Sequence, residues 1–214
     1  MKLVHHRWIS RDIIGGNAAL DLVNTVSGSG DDPEDWIPDV DSFLEWAATS
    51  KLLNTNESSE AARQATAFPA AADRVVASLK ELRFCLWHLV DAIERGKLPK
   101  PAHLSLVNDW ACRLALSQNI VFRGHKIHFA LYPDISVLDL PGLRITATAL
   151  AFLMDPPAKR IKTCAGDGCG WKFIDKSKNQ SRRWCDMAVC GNLEKARHYR
   201  SRPFPRVANG NRRA

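Results

Sequence analysis

Four cysteines near the C-terminal end, Cys164, Cys169, Cys185 and Cys190, are spaced C-x4-C-x15-C-x4-C. Two close pairs separated by a short loop suit a tetrahedral ion: each pair supplies one edge from a tight turn, and the intervening segment brings the edges together. Thiolates hold Zn2+ at about 2.3 Å and stay deprotonated because the cation lowers their pKa. Gly166 and Gly168 in the first turn are expected to allow positive φ and a close approach of backbone to sulfur. Four protein ligands leave no position for water, so the expected cofactor is one structural Zn2+ with no catalytic part. Disulfides and redox switching are the rivals. Residues 1–12 hold no apolar segment of the kind that opens a secretion signal, which disfavours disulfides. A full four-thiol set with glycine-bearing turns suits a closed zinc site better than redox chemistry.

The charges around these thiols are the second signal. The chain has a net charge of +7, unevenly distributed. Residues 159–214 hold 15 Lys/Arg against 4 Asp/Glu, which is +11; residues 1–158 hold 15 against 19, which is −4. A mildly acidic body with a basic C-terminal quarter points to a polyanionic partner. Lys176, Lys178, Arg182 and Arg183 cluster between the cysteine pairs, and Lys195, Arg197 and Arg200 follow on an expected helix. These seven are the candidate nucleic-acid contacts, able to pair with phosphates or guanine edges, and Asn179 and Gln180 could reach base edges. The plainer reading is that they bind phosphate alone, giving affinity with little sequence preference. Leu193, Ala196 and Tyr199 form an apolar strip expected to pack on the zinc core, with Pro203 ending the helix.

The elements that must carry these residues read as follows. Hydrophobic content of 45% and charged content of 25% are those of an ordinary soluble globular protein. The most apolar stretch, 140–154, is too short to span a membrane. The first ~155 residues read as mainly helical with a small β-hairpin, an α+β layout. Asn17 and Asp41 are candidate N-caps. Val75, Leu79, Leu82, Leu86, Leu89 and Ile93 mark one face of a long helix ended by Gly96 and Pro99. Leu104, Val107, Ala111 and Leu114 repeat the pattern, as do Leu140, Leu143, Ala147, Leu150 and Met154. Ile120 and Phe122 alternate on one face, answered by Ile127, Phe129 and Leu131 across a turn at Gly124-His125. Cys85 and Cys112 read as small core hydrophobes. Asp155-Pro156-Pro157 places a boundary between a helical domain of residues 1–158 and a zinc module of 159–204, with a basic tail at 205–214. Within the module, GWKFID and SRRW read as two strands around the loop KSKNQ, followed by a helix carrying the last ligand: a treble-clef-like arrangement. So small a module needs its metal to fold.

The stretch CGWKFIDKSKNQSRRWCDMAVCGN, followed by LEKARHYRSR, resembles the C-terminal CGNR zinc finger of bacterial proteins, with the four cysteines where that family has its metal ligands. GGNAALDLVNT resembles the start of the ABATE domain that usually precedes that finger. The resemblance implies a predicted transcriptional regulator, often described as stress-induced, with an N-terminal domain that senses a small ligand; with neither a secretion signal nor a membrane span in the sequence, the expected place is the cytoplasm, on the bacterial nucleoid. Where the family name calls for Arg after Cys-Gly-Asn, this chain has Leu193. If that arginine reads DNA, recognition here uses other residues such as Arg182, Arg183 or Arg197; if it braces the finger, the change is mild.

The expected partner is double-stranded DNA, with a small-molecule effector and no membrane. Dimers are usual among regulators, so a homodimer is allowed, though no heptad argues for one. Asp21, Asn24 and Arg83 are the candidate ligand contacts. Asn17, Asp21 and Asn24 share one side of the first helix, as either a solvated polar face or the wall of a pocket. Arg83 borders an apolar stripe, where a cation seeks a partner or a ligand. Two rival functions remain. RNA binding would use Trp171, Phe173 or Trp184 as stacking surfaces. Enzymatic chemistry would draw on His5, His6, His88, His103, His125 or His128, none of which forms a catalytic or metal spacing; the expectation is that the chain is not an enzyme.

Overall fold

The computed structural model describes residues 1–28 and 32–201. Arg202, Pro203 and the tail of 205–214 lie outside the described residues. After β1 (Lys2–Leu3), Asn17 caps α1 (Ala18–Val23), its side-chain oxygen accepting from Ala19 N at 2.9 Å. β2 (Val26–Ser27) and β3 (Glu34–Asp35) follow, with β3 central in a small sheet, parallel to β1 and antiparallel to β2. α2 (Val40–Thr49) starts two residues earlier than expected because Asp39, not Asp41, accepts from Ser42 N. α3 (Thr55–Ala67) opens on a reciprocal cap between Asn54 and Glu57. α4 (Pro69–Glu94), α5 (Pro101–Leu116) and the hairpin β4 (Gln118–Arg123) with β5 (Lys126–Leu131) come next. The hairpin turns where expected, with φ of 51° at Gly124 and 68° at His125, as a type I′ turn requires. α6 (Leu140–Met154) leads to β6 (Ile161–Thr163), β7 (Lys172–Ile174), a π-helical turn Met187–Gly191 and α7 (Asn192–Ser201).

α4 is the spine, and α1, α2, α3 and α5 all pack on it. Leu79, Leu82, Leu86 and Leu89 of its stripe are buried, each stabilising the core by roughly 1.5–3 kcal/mol relative to exposure. α6 packs on α1 and α5, but by a face rotated from the expected one. Leu143, Ile145, Thr146, Ala149 and Phe152 are buried while Met154 is exposed. Two residues set this rotation. Gly142 lies so close to Trp110 that a Cβ would sit 2.5 Å from its ring, and Arg144 turns the other way to make two bonds to Glu57 (2.6 and 2.8 Å). Leu104 on α5 is 41% exposed, and Cys112 is exposed rather than a core residue; Cys85 is buried as expected.

The zinc module differs from expectation in its strand pairing. β7 is a strand, but SRRW is not. β7 pairs antiparallel with β6, residues lying before the first cysteine pair, in the register Ile161↔Ile174, Lys162↔Phe173, Thr163↔Lys172. Its other edge is taken by the helical body. Lys172 N donates to Asn24 Oδ1 (2.8 Å), Asn24 Nδ2 donates to Lys172 O (2.8 Å), and Ile174 N donates to Gly15 O (3.0 Å). With both edges occupied, β7 offers residues 181–184 no ladder to join. The finger is therefore built onto the body.

Candidate metal centre and cationic surface

The hairpin β6–β7 holds the first cysteine pair at its turn, and the π-helical turn before α7 holds Cys190. Gly168 and Gly170 adopt φ of 72° and 73°, which glycine tolerates best. Gly166 is required for space rather than for φ, since a Cβ there would lie 3.0 Å from Cys190 Cβ and 3.2 Å from its sulfur. The four sulfurs all lie within 4.8 Å of one another, with Cys169–Cys185 and Cys185–Cys190 both at 3.6 Å. A tetrahedron of Zn–S bonds of about 2.3 Å has edges of about 3.8 Å, so the donor set fits zinc. Cys164 Sγ also accepts from Gly166 N (3.4 Å) and Cys185 N (3.2 Å). Trp171, Phe173, Trp184 and Ile14 pack around the cluster, and Trp36 meets Trp171 edge-on at 5.5 Å.

Crowding sets the thiols against one another. Hydrogen bonds from the Cys169 and Cys185 thiols pull Cys164 down to about 2. The bond to Cys164 pushes Cys169 up to about 12, and Cys185 is driven upward by its bonds to Cys164 and Cys169. Burial raises Cys190. One sulfur takes the negative charge while its neighbours keep their protons, so four thiolates at this separation require a cation. Zn2+ is that cation. It would bridge the two knuckles and hold a module too small to be stabilised by burial alone.

The seven candidate nucleic-acid residues divide into two groups. Lys176, Lys178 and Arg183 are exposed on the loop between the cysteine pairs, and Lys195, Arg197 and Arg200 are exposed on α7. Arg197 meets Asp167 at 2.8 Å, and Arg183 lies over Trp184 at 5.2 Å. Arg182 is different. Its guanidinium lies 4.5 Å over Phe173, donates to Trp184 O (2.9 Å) and reaches Cys185 O. It braces the second knuckle from inside. Asp175, missed by sequence reasoning, organises the loop. One carboxylate oxygen accepts from Ser177 N (2.9 Å) and Ser177 Oγ (2.6 Å), the other from Arg182 N (2.9 Å) and Lys162 Nζ (2.8 Å). The Lys162 and Ser177 bonds hold its carboxyl far below the usual carboxylate range. The Leu193–Ala196–Tyr199 strip does not pack on the zinc core: Leu193 is 55% and Tyr199 79% exposed. The core is already closed by Trp171, Phe173 and Trp184, so α7 projects from it, and the position of Leu193 faces solvent.

The three candidate ligand contacts are buried and held by the protein itself. Asp21 Oδ1 accepts from Gly15 N (2.7 Å), and burial raises its pKa to about 6. Asn24 is the clasp on β7. Arg83 makes a two-pronged bond to Asp35 (2.7 and 2.8 Å) and donates to Thr25 Oγ1 (2.8 Å). Sequence reasoning also missed Lys172, a buried lysine whose ammonium bonds Asp91 (2.9 Å), Glu94 (2.6 Å) and Thr163 (2.8 Å). It ties the module to α4.

Beside this clasp lies a groove of about 1000 Å3 between α4, the N-terminal sheet and the module. Val23, Val26, Phe84, Trp87 and Leu106 supply apolar walls, and Arg83, Thr163, Gly170 and Lys172 line it from the two sides. It reaches His88, which stacks on His103 at 4.2 Å, but not Asp21.

A helical domain with a four-cysteine, treble-clef-like zinc module docked onto it is therefore the class of protein. The chain belongs to the ABATE family, described as "putative stress-induced transcription regulator", whose model matches residues 16–153. The model of the CGNR zinc finger matches residues 160–203. No curated protein matches the chain.

Proposed function

We propose that this chain is a regulator of transcription that binds double-stranded DNA through its zinc module, working in the cytoplasm on the nucleoid and not as an enzyme. One observation carries the reading: exposed cations on two elements are fixed to a single frame by the four-thiol centre. Lys176, Lys178 and Arg183 stand on the loop that Asp175 organises, and Lys195, Arg197 and Arg200 on the helix that Cys190 anchors. A shared frame presents these cations together to one phosphate backbone, with no further ordering of the chain that carries them. RNA stacking is disfavoured because Trp171 and Phe173 are buried. If each of the six exposed cations neutralises one phosphate, log affinity for duplex falls with log salt at a slope of about −5. Fluorescence anisotropy between about 50 and 200 mM salt measures it. An affinity indifferent to salt, or a preference for structured RNA over duplex, would overturn the reading.

The groove favours an effector reading as well. Its cations already have partners: Arg83 with Asp35, Lys80 with Asp35, Lys172 with Asp91 and Glu94, Arg95 with Asp91. Beyond these pairs the lining is chiefly apolar wall, with the exposed carboxylate of Glu81 among it, so the ligand it suits is a largely apolar small molecule without negative charge. Such a ligand would touch Gly170 and Lys172 and so press on the module directly. The neutral dye N-phenyl-1-naphthylamine should brighten on binding, and Trp87→Ala should weaken it; binding that ignores Trp87 would refute the assignment.

A further inference from the structure

The β4–β5 hairpin has a face that no described residue covers. Ile120, Phe122, Ile127 and Phe129 are 67%, 72%, 70% and 70% exposed. The register sets Ile120 opposite Phe129 and Phe122 opposite Ile127, so all four share one face. The opposite face carries Asn119, Arg123, Lys126 and His128, with Val121 and Ala130 half-buried among them. Alternation of this kind marks a sheet with one face buried and one in water. β4 and β5 pair only with each other among the described strands, and a lone two-stranded hairpin is marginally stable in water. Single exposed apolar residues need no explanation, but four in one rectangle do.

We propose that this face joins two copies of the chain, hairpin against hairpin, about a two-fold axis. The occupant is argued from the face itself, which is built to accept its own image. Its two phenylalanines lie on one diagonal and its two isoleucines on the other. If two such faces stack about an axis along the strands, Phe122 opposes Ile127 of the partner subunit. If the axis runs across the strands, Phe122 opposes Ile120 of the partner subunit. Either way each large flat ring meets a branched aliphatic side chain, and no ring is forced against a ring. An isologous contact requires this kind of self-complementarity. The exposed Arg123, Lys126 and His128 of the opposite faces meanwhile stay in water and apart.

Area supports the same partner. An aromatic side chain buries roughly 150–250 Å2, and about seven-tenths of each remains open here. With the isoleucines, the face exposes on the order of 500 Å2, near the top of the range for the largest patch on an ordinary monomer. Two faces together would bury about 1000 Å2, the lower bound for a specific interface. The dimer therefore belongs at the weak end of specific association. The inference rests on the hairpin alone and stands whether or not the zinc module binds DNA.

Sedimentation equilibrium of the full zinc-loaded chain without DNA, from about 1 to 200 μM, tests it across the micromolar range in which weak association shows. The parent should pass from monomer to dimer. Phe122→Ser with Phe129→Ser should weaken association by about 30-fold or more, the scale for losing a central aromatic, with zinc content and thermal melting unchanged. Arg123→Ser with His128→Ser, on the opposite face, should leave association intact. A parent that stays monomeric throughout overturns the proposal. So does a dimer that survives the phenylalanine substitutions, or an assembly that grows past two.

Discussion

Asn24→Ala removes the clasp between α1 and β7 and nothing else of comparable strength. The amide both accepts from Lys172 N and donates to Lys172 O, each at 2.8 Å, where Asn24 and Lys172 are both 2% exposed. Truncation leaves a backbone donor and a backbone acceptor without partners in a site closed to water. Each orphaned group costs about 1–3 kcal/mol, so the variant should lose about 2–6 kcal/mol. β6 cannot compensate, because it bonds the other edge of the strand. Equilibrium urea unfolding of zinc-loaded protein, followed by tryptophan fluorescence, gives the number. Asn24→Asp is the informative comparator: its carboxylate still accepts from Lys172 N but offers nothing to Lys172 O, so it should recover part of the loss. A change within about 0.5 kcal/mol for Asn24→Ala, the range of an inert surface substitution, would refute the reasoning that β7 is held to the body by this side chain.

Two further outcomes follow from the same geometry. Asp21 has its pKa raised from 3.8 to about 6, chiefly by burial, so the folded state holds its proton more tightly than the unfolded state. Its contribution to stability is full below the unfolded pKa and is lost as pH rises through about 6. Asn at this position keeps an acceptor for Gly15 N without the charge. Asp21→Asn should therefore stabilise by at most about 3 kcal/mol at pH 8 and roughly half that at pH 5; a pH-independent difference in urea midpoint would count against it. Arg182→Ala should speed zinc release to a chromogenic chelator and lower the melting temperature. Lys178→Ala should leave both unchanged while reducing the salt slope of duplex binding by about 1, and equal behaviour of the two variants would contradict the division between brace and contact.

The sequence told most where the signal is local or periodic. The cysteine spacing located the metal centre, the leucine stripe on α4 located the spine, and Gly124-His125 located the hairpin turn. What it hid depends on partners far apart in the chain. Asn24 bonds a strand 148 residues later, and no periodicity announces that pairing. Its polar face read as either solvated or ligand-lined, and the structure makes it a buried clasp. SRRW reads as a strand because it faces GWKFID across the loop KSKNQ, but β7 gives both its edges to β6 and the body. Arg182 and Arg183 are neighbours of one type. They differ because the backbone turn aims one over Phe173 and the other outward.

Whether one zinc ion at Cys164, Cys169, Cys185 and Cys190 fixes a DNA-binding surface is tested most directly by removing metal stepwise with a chelator. Zinc content and duplex affinity are followed in the same samples. One zinc per chain at the start, with duplex binding lost in proportion to zinc and restored on its return, is the expected result. A chain that arrives without zinc, or that binds duplex equally well after its zinc has gone, would contradict it.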